Sequence, residues 1–256
     1  AFSGHHGAVV GVVFSPDGNE LISAGRDSTV RLWNFATNQE NRTLRAHEHP
    51  TRTVAASPDS RFLASAGEET RIMLWDAVTG KLLKIFSGNS DFVNSVTFSA
   101  DGSRLASGGV DARVLVWDVA TGNLLLTLSG HTAEINTVAF SPDGRFLASA
   151  GEDAQIRLWN AVTGQLLQTF TGHQAAIRTV AFSQDGNTLI SAGEDSQILV
   201  WDTTTTTATK SLKTAGNPRI KIPTLSKTIN SLVISPNGKV FTSGEDNQIT
   251  EWDITR

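Results

Sequence analysis

GHTAEINTVAFSPDGRFLASAGEDAQIRLWN, residues 130–160, is the stretch from which the rest of the chain can be read. Its parts come in a fixed order: Gly130-His131, an alternating apolar run, Ser141-Pro142-Asp143-Gly144, a second run, Gly151-Glu152-Asp153, and a third run closing on Trp159. The same order recurs along the chain, with Trp33, Trp75, Trp117, Trp159, Trp201 and Trp252 marking its register. The first five stand 42 residues apart, and the sixth follows after 51. A fixed period in the forties belongs to arrays of supersecondary units, none able to bury its apolar faces alone. One cooperative domain over 1–256 is therefore expected, in place of the one or two ordinary domains that 256 residues would suggest.

Within the unit, strands are expected at Ile135 to Phe140, Phe146 to Ala150, Gln155 to Asn160 and Leu166 to Phe170. In Ser141-Pro142-Asp143-Gly144, Pro presets φ, Asp caps its own backbone and Gly takes the positive φ. Gly151-Glu152-Asp153 and Thr163-Gly164 turn the chain at the other junctions. Helical spacing of apolar residues persists nowhere, so the fold is expected to be all-β. Four short antiparallel strands per 42 residues make one propeller blade.

Composition narrows the function classes. A net charge of −4 with no dominant basic block gives no nucleic-acid footprint. The absence of Cys removes disulfides, thiolate metal sites and thiol nucleophiles, and fits a reducing cytoplasm, the expected location. No apolar run approaches the roughly 18 residues a membrane span needs, so no membrane partner is expected. The chain starts at Ala1 without a signal peptide, which points to a processed or excised piece.

Gly-His appears at Gly4-His5, Gly130-His131 and Gly172-His173. Trp-Asp appears at Trp75-Asp76, Trp117-Asp118, Trp201-Asp202 and Trp252-Asp253, with Trp33-Asn34 and Trp159-Asn160 as variants. In combination these motifs resemble the WD-repeat (WD40) β-propeller family over essentially the whole chain. The near-duplicate repeats also look like those of bacterial, especially cyanobacterial, WD-repeat proteins. The resemblance implies a propeller of six visible four-stranded blades.

The sixth unit departs from the pattern, with Leu225 in the His place and Ile234 in the Phe place. About ten extra residues precede it, including the basic Gly216-Asn217-Pro218-Arg219-Ile220-Lys221, and the 203–224 segment reads as a tolerated surface insertion. After Trp252 only Asp253 to Arg256 remain, so the outer strand of the last blade is nearly absent. Ala1 to His5 matches the tail of an outer strand that precedes blade one. Two expectations follow: a six-bladed ring with a weak seam, or part of a larger ring. An unclosed blade edge also invites self-association.

His, Ser and Asp recur at matching positions: His5, Ser23 and Asp27; His131, Ser149 and Asp153; His173, Ser191 and Asp195. Taken as a Ser nucleophile activated by His, this would make three near-identical active sites around one ring, which no enzyme needs. The resemblance implies instead a buried hydrogen-bonded chain that ends on the Trp indole of Trp33, Trp159 or Trp201. By that pattern the chain is complete only in units one, four and five. Unit two places Glu69 in the Asp position beside His47, Ser65 and Trp75. Unit three places Asn89 in the His position beside Ser107, Asp111 and Trp117, and unit six combines Leu225 with Thr242, Asp246 and Trp252. Those three blades are expected to be held less firmly. No catalytic, cofactor-binding or metal-binding residues are expected. The Asp-Gly turns lack the alternating oxygen ligands of a calcium loop, and no phosphate-cradling Gly loop opens a helix.

In the family the resemblance points to, partners commonly dock on the face bearing the short turns around the channel mouth. One set of residues expected there precedes the turn Asp: Arg26, Glu68, Val110, Glu152, Glu194 and Glu245. The other lies five after the Gly-His histidine: Val10, Arg52, Asn94, Asn136, Arg178 and Asn230. Together they make a mixed, mildly acidic rim suited to a protein or peptide carrying Lys or Arg. The expected function is a non-enzymatic protein–protein interaction scaffold; the alternative is a regulatory or sensor domain of a larger protein with catalysis elsewhere.

Overall fold

The computed structural model describes residues 1–204, 227–235 and 237–253, and the described residues form strands and turns without a helix. Blade four shows the pattern: Ile135–Phe140, Phe146–Gly151, Gln155–Asn160 and Leu166–Thr171 pair in chain order as an antiparallel meander. Blades one to three repeat it, with first strands at Val9–Phe14, Thr51–Ala56 and Val93–Phe98. Blades five and six each show three strands, beginning at Ile177–Phe182 and Ile229–Ile234. The fold is all-β, of six propeller blades. Leu225, the loop 216–221, most of the 203–224 insertion and the residues after Asp253 lie outside the described residues.

The chain divides into two compact units, Ala1–Gly130 with blades one to three and His131–Arg256 with blades four to six. Within each, a blade turns its trailing face toward the leading face of the next. Ile22, Ala24, Val30 and Leu32 of blade one pack on Val54, Leu63, Met73 and Trp75 of blade two. Ala64, Ala66, Ile72 and Leu74 of blade two pack on Val96, Phe98, Leu105 and Trp117 of blade three. In the second unit Ala148, Ala150, Ile156 and Leu158 meet Val180, Phe182, Leu189 and Trp201, and Ile190 and Ala192 meet Ile229, Leu232 and Trp252. Small residues on the trailing face leave room for the bulky ones opposite. Each fully buried Val, Leu or Ile contributes roughly 1.5–3 kcal/mol of apolar burial.

A bulge in each first strand sets the geometry of the turn face. In blade four the pairing slips between Ile135 and Thr137, leaving Asn136 opposite no partner. Equivalent slips leave out Val10, Arg52, Asn94, Arg178 and Asn230. These are the six residues the sequence pattern places five after the Gly-His position. A bulged residue is re-aimed away from the sheet. The bulge also requires Gly at the end of the second strand, because a Cβ on Gly151 would stand 1.9 Å from the Glu134 carbonyl oxygen. That carbonyl accepts the Glu152 N–H at 2.9 Å, which closes the mouth of the hairpin.

Candidate functional site

Two polar systems lie at the turn end of each blade, one sealed inside and one at its rim. The sealed system is clearest in blade four. The Trp159 indole N–H, which can only donate, meets Ser149 Oγ at 2.9 Å. Ser149 Oγ lies 2.8 Å from His131 Nε2, and His131 Nδ1 lies 2.9 Å from Asp153 Oδ2. In the neutral Nδ1–H tautomer the hydroxyl donates to Nε2 and Nδ1–H donates to the carboxylate, while Arg157 Nη1 also lies 2.7 Å from Nδ1. The Thr132 backbone N–H also donates to Asp153 Oδ2, at 3.2 Å.

Burial and charge fix the protonation of this set. Burial pushes the His131 imidazole below its ordinary value, outweighing the pull of Asp153, so the ring is neutral near neutral pH. Burial alone would raise Asp153; the charge and hydrogen bond of His131, the Arg157 guanidinium and the Thr132 N–H outweigh it and hold the carboxyl low. Arg157 is a member that the repeat pattern does not mark. Its Nη1 donates to Asp153 Oδ2 at 2.9 Å from an otherwise apolar buried strand, and Arg31 approaches Asp27 from the matching place in blade one. A lone Arg in an apolar strand is the sequence signal for both.

Blades one and five repeat the set. Trp33 donates to Ser23 at 2.8 Å, Ser23 meets His5 at 2.7 Å, and His5 meets Asp27 at 3.0 Å. Trp201 donates to Ser191 at 2.8 Å, Ser191 meets His173 at 2.7 Å, and His173 meets Asp195 at 2.8 Å. Blade two corrects the expectation that the set is complete in only three blades. His47 meets Ser65 at 2.6 Å and Glu69 at 2.5 Å, and Trp75 donates to Ser65 at 2.8 Å. The extra methylene of Glu69 reaches the ring from a differently shaped turn.

Blade three is left short. Ser107 donates to Asn89 Oδ1 at 2.9 Å, and the buried Trp117 indole N–H has no partner among the described residues. In blade six Trp252 donates to Thr242 at 2.9 Å.

The His-Ser-Asp geometry resembles that of a catalytic triad, in a buried environment that disfavours nucleophilic attack. Ser149 and Ser191 are fully buried, and each hydroxyl oxygen already accepts an indole N–H that would oppose nucleophilic attack. Each set ties the segment leading into the first strand of its blade to the second and third strands. Among the described residues no three His, Asp or Glu side chains converge as metal ligands.

The rim system is exposed or half-buried. In the first unit Arg52 donates to Glu68 Oε1 through Nη2 at 3.0 Å and Nε at 3.2 Å, and to Asn94 Oδ1 at 2.8 Å. Its guanidinium lies 5.5 Å above the Phe92 ring, a residue the repeat pattern does not single out. In the second unit Arg178 donates to Glu152 Oε1 at 3.0 Å and to Glu194 Oε1. Asn136 donates to Glu152 Oε1 at 2.9 Å and to the Ile177 carbonyl at 3.0 Å. Arg26, Asn230 and Glu245 are exposed and join neither cluster. Val10 is exposed and Val110 half-buried.

Residues 52–231 match the family model described as the echinoderm microtubule-associated protein second beta-propeller. Residues 1–34 and 219–253 match the WD domain, G-beta repeat. No curated protein matches the chain.

Proposed function

The chain belongs to the WD-repeat β-propeller family, and from that premise we propose that it is a non-enzymatic scaffold whose turn-face rim docks a Lys- or Arg-bearing protein segment. WD-repeat propellers serve in general as protein-interaction scaffolds. The observation that carries the finer reading is the Arg178 cluster. Arg178 and Asn136 hold Glu152, and Arg178 holds Glu194, each through Oε1. Among the described residues the Oε2 atoms of both carboxylates accept no hydrogen bond, which leaves them as oriented acceptors for an arriving ammonium or guanidinium. The sealed His-Ser-Asp-Trp sets act as supports that keep the turns in place beneath those acceptors. The Cys-free composition supports a reducing cytoplasm as the place of action.

An array of short peptides, some Lys/Arg-rich and some Asp/Glu-rich at matched length, tests the reading. Selective retention of the basic peptides, lost in Glu152→Lys/Glu194→Lys, is the expected result. Basic peptides that bind that double variant as well as the parent dock elsewhere, and retention of neither class removes the proposed partner chemistry.

A further inference from the structure

Blades one to five place an Asp two residues after the Ser that follows their first strand: Asp17, Asp59, Asp101, Asp143 and Asp185. Each carboxylate accepts the Ser hydroxyl through Oδ1 at 2.5 or 2.6 Å. The same oxygen accepts the backbone N–H two residues on, at 3.0 or 3.1 Å. The Ser hydroxyl, first among these donors, holds the carboxyls of Asp17, Asp59, Asp101 and Asp185 below the ordinary carboxylate value. Blade six puts a neutral amide in this seat: Asn237, whose Oδ1 accepts from Ser235 Oγ at 2.6 Å.

Asn237 is followed by Gly238, the single Asn-Gly pair in the chain. The neighbour matters chemically, because Gly238 carries no Cβ to screen its backbone nitrogen from Asn237 Cγ. The Asn237 side chain is exposed, so water reaches it. By donating to Oδ1, the Ser235 hydroxyl draws electron density away from Cγ. The turn is also one residue shorter than in the other blades: the Ser235 N–H reaches the carbonyl of Lys239, where the Ser141 N–H reaches that of Phe146. The Gly238 N–H donates to the Ser235 carbonyl at 2.9 Å, and its nitrogen becomes free to react when that bond opens.

We propose that Asn237 is a site of spontaneous deamidation, and that the turn accepts the Asp that results. Gly238 N gives its proton to a base in the solvent and adds to Asn237 Cγ. The Cγ–Nδ2 bond breaks, and the side-chain nitrogen takes up a proton from water and leaves as ammonia. Water then opens the five-membered imide. Breaking its bond from Cγ to the Gly238 nitrogen gives Asp, and breaking the bond from the Asn237 backbone carbonyl carbon to that nitrogen gives a β-linked isoaspartate. The sum is one water taken up and one ammonia released, with no oxidant or reductant. The Asp product places a carboxylate where the Ser hydroxyl already donates, as in the five other blades. The turn joins the far ends of the strands Ile229–Ile234 and Lys239–Gly244 from Asn230 and Glu245, so the inference goes beyond the rim reading and uses none of its residues.

Incubation of the full chain in heavy-oxygen water at mildly alkaline pH, followed by peptide mapping in a mass spectrometer, tests it. Heavy oxygen is expected to build up at Asn237 ahead of every other asparagine, with Asp and isoaspartate both present, since direct hydrolysis of the amide gives Asp alone. Gly238→Ala is expected to slow the conversion several-fold. Asn237→Asp makes the product directly and needs no incubation; its urea midpoint is expected to equal or exceed that of the parent. An Asn237 that takes up no label, other asparagines labelled as fast, Asp without isoaspartate, a rate unchanged in Gly238→Ala, or a lower midpoint in Asn237→Asp each overturns the proposal.

Discussion

Glu69 reaches His47 Nδ1 at 2.5 Å from a hairpin unlike those of the other blades. Where Asp takes this place, the following residue is left-handed, as at Ser28 (φ 63°), Ala154 (φ 57°) and Ser196 (φ 60°), and its N–H returns to the Gly carbonyl. Thr70 is not left-handed, and a longer acid and a different turn arrive together. Glu69→Asp should therefore withdraw the carboxylate and leave a buried imidazole N–H unmet. The expected loss is about 1–3 kcal/mol in urea unfolding. A midpoint equal to that of the parent would show that the turn re-forms around Asp.

Blade three offers the converse experiment. Trp117 keeps a buried indole N–H with no partner among the described residues, while the Ser107 hydroxyl donates to Asn89 Oδ1. Asn89→His supplies the ring that lets Ser107 accept from Trp117, with Asp111 waiting at the other nitrogen. The variant should gain on the order of 1 kcal/mol. A lower melting temperature would mean that blade three has closed around the smaller side chain.

Backbone, not side chain, sets the demand for Gly151. A Cβ there would press into the Glu134 carbonyl at 1.9 Å, and that carbonyl cannot move without losing the Glu152 N–H. Gly151→Ala should cost about 3 kcal/mol or more. Gly144→Ala is the contrast: φ is +70° but nothing lies within 4 Å of the new Cβ, so only the left-handed penalty of about 1 kcal/mol applies. Denaturant midpoints for the two variants should fall in that order.

Acidification should destabilise the chain in two stages. His47 and His131 titrate below the ordinary 6.5 in the folded chain because burial opposes their charging. As pH falls below 6.5 the unfolded chain binds more protons than the folded one, so stability drops. Asp153 and Asp195 titrate below the ordinary 3.8 despite burial, held there by His131 and Arg157 in one case and His173 in the other. Their contribution is present above 3.8 and is lost as pH falls below it. Melting curves from pH 8 to 3 should show both declines, and His131→Asn should shrink the first. A flat profile between pH 7 and 5 would count against neutral buried rings.

Much of this was legible from one register. Trp recurring at 42 residues, with Gly-x-Asp six before it, placed the strands because each blade solves the same packing problem with the same residue classes. It also placed Asn136 and Arg178, which prove to be bulge residues. Glu69 was misjudged because a periodic pattern scores residue type and not reach. Arg157 was missed because its place in the repeat carries Arg only in blades one and four, at Arg31 and Arg157, so the shared pattern does not mark it.

Arg178 already donates to Oε1 of Glu152 and of Glu194, the two carboxylates that an incoming cation would have to share. An ammonium arriving at Glu152 meets a guanidinium tethered to the same scaffold, at the high effective concentration that a short covalent leash gives. A single lysine gains little by displacing it. On the proposed docking reading, a segment with two cations, spaced to reach Glu152 and Glu194 together, would outcompete it, and the rim would then act as a threshold that isolated charges do not pass.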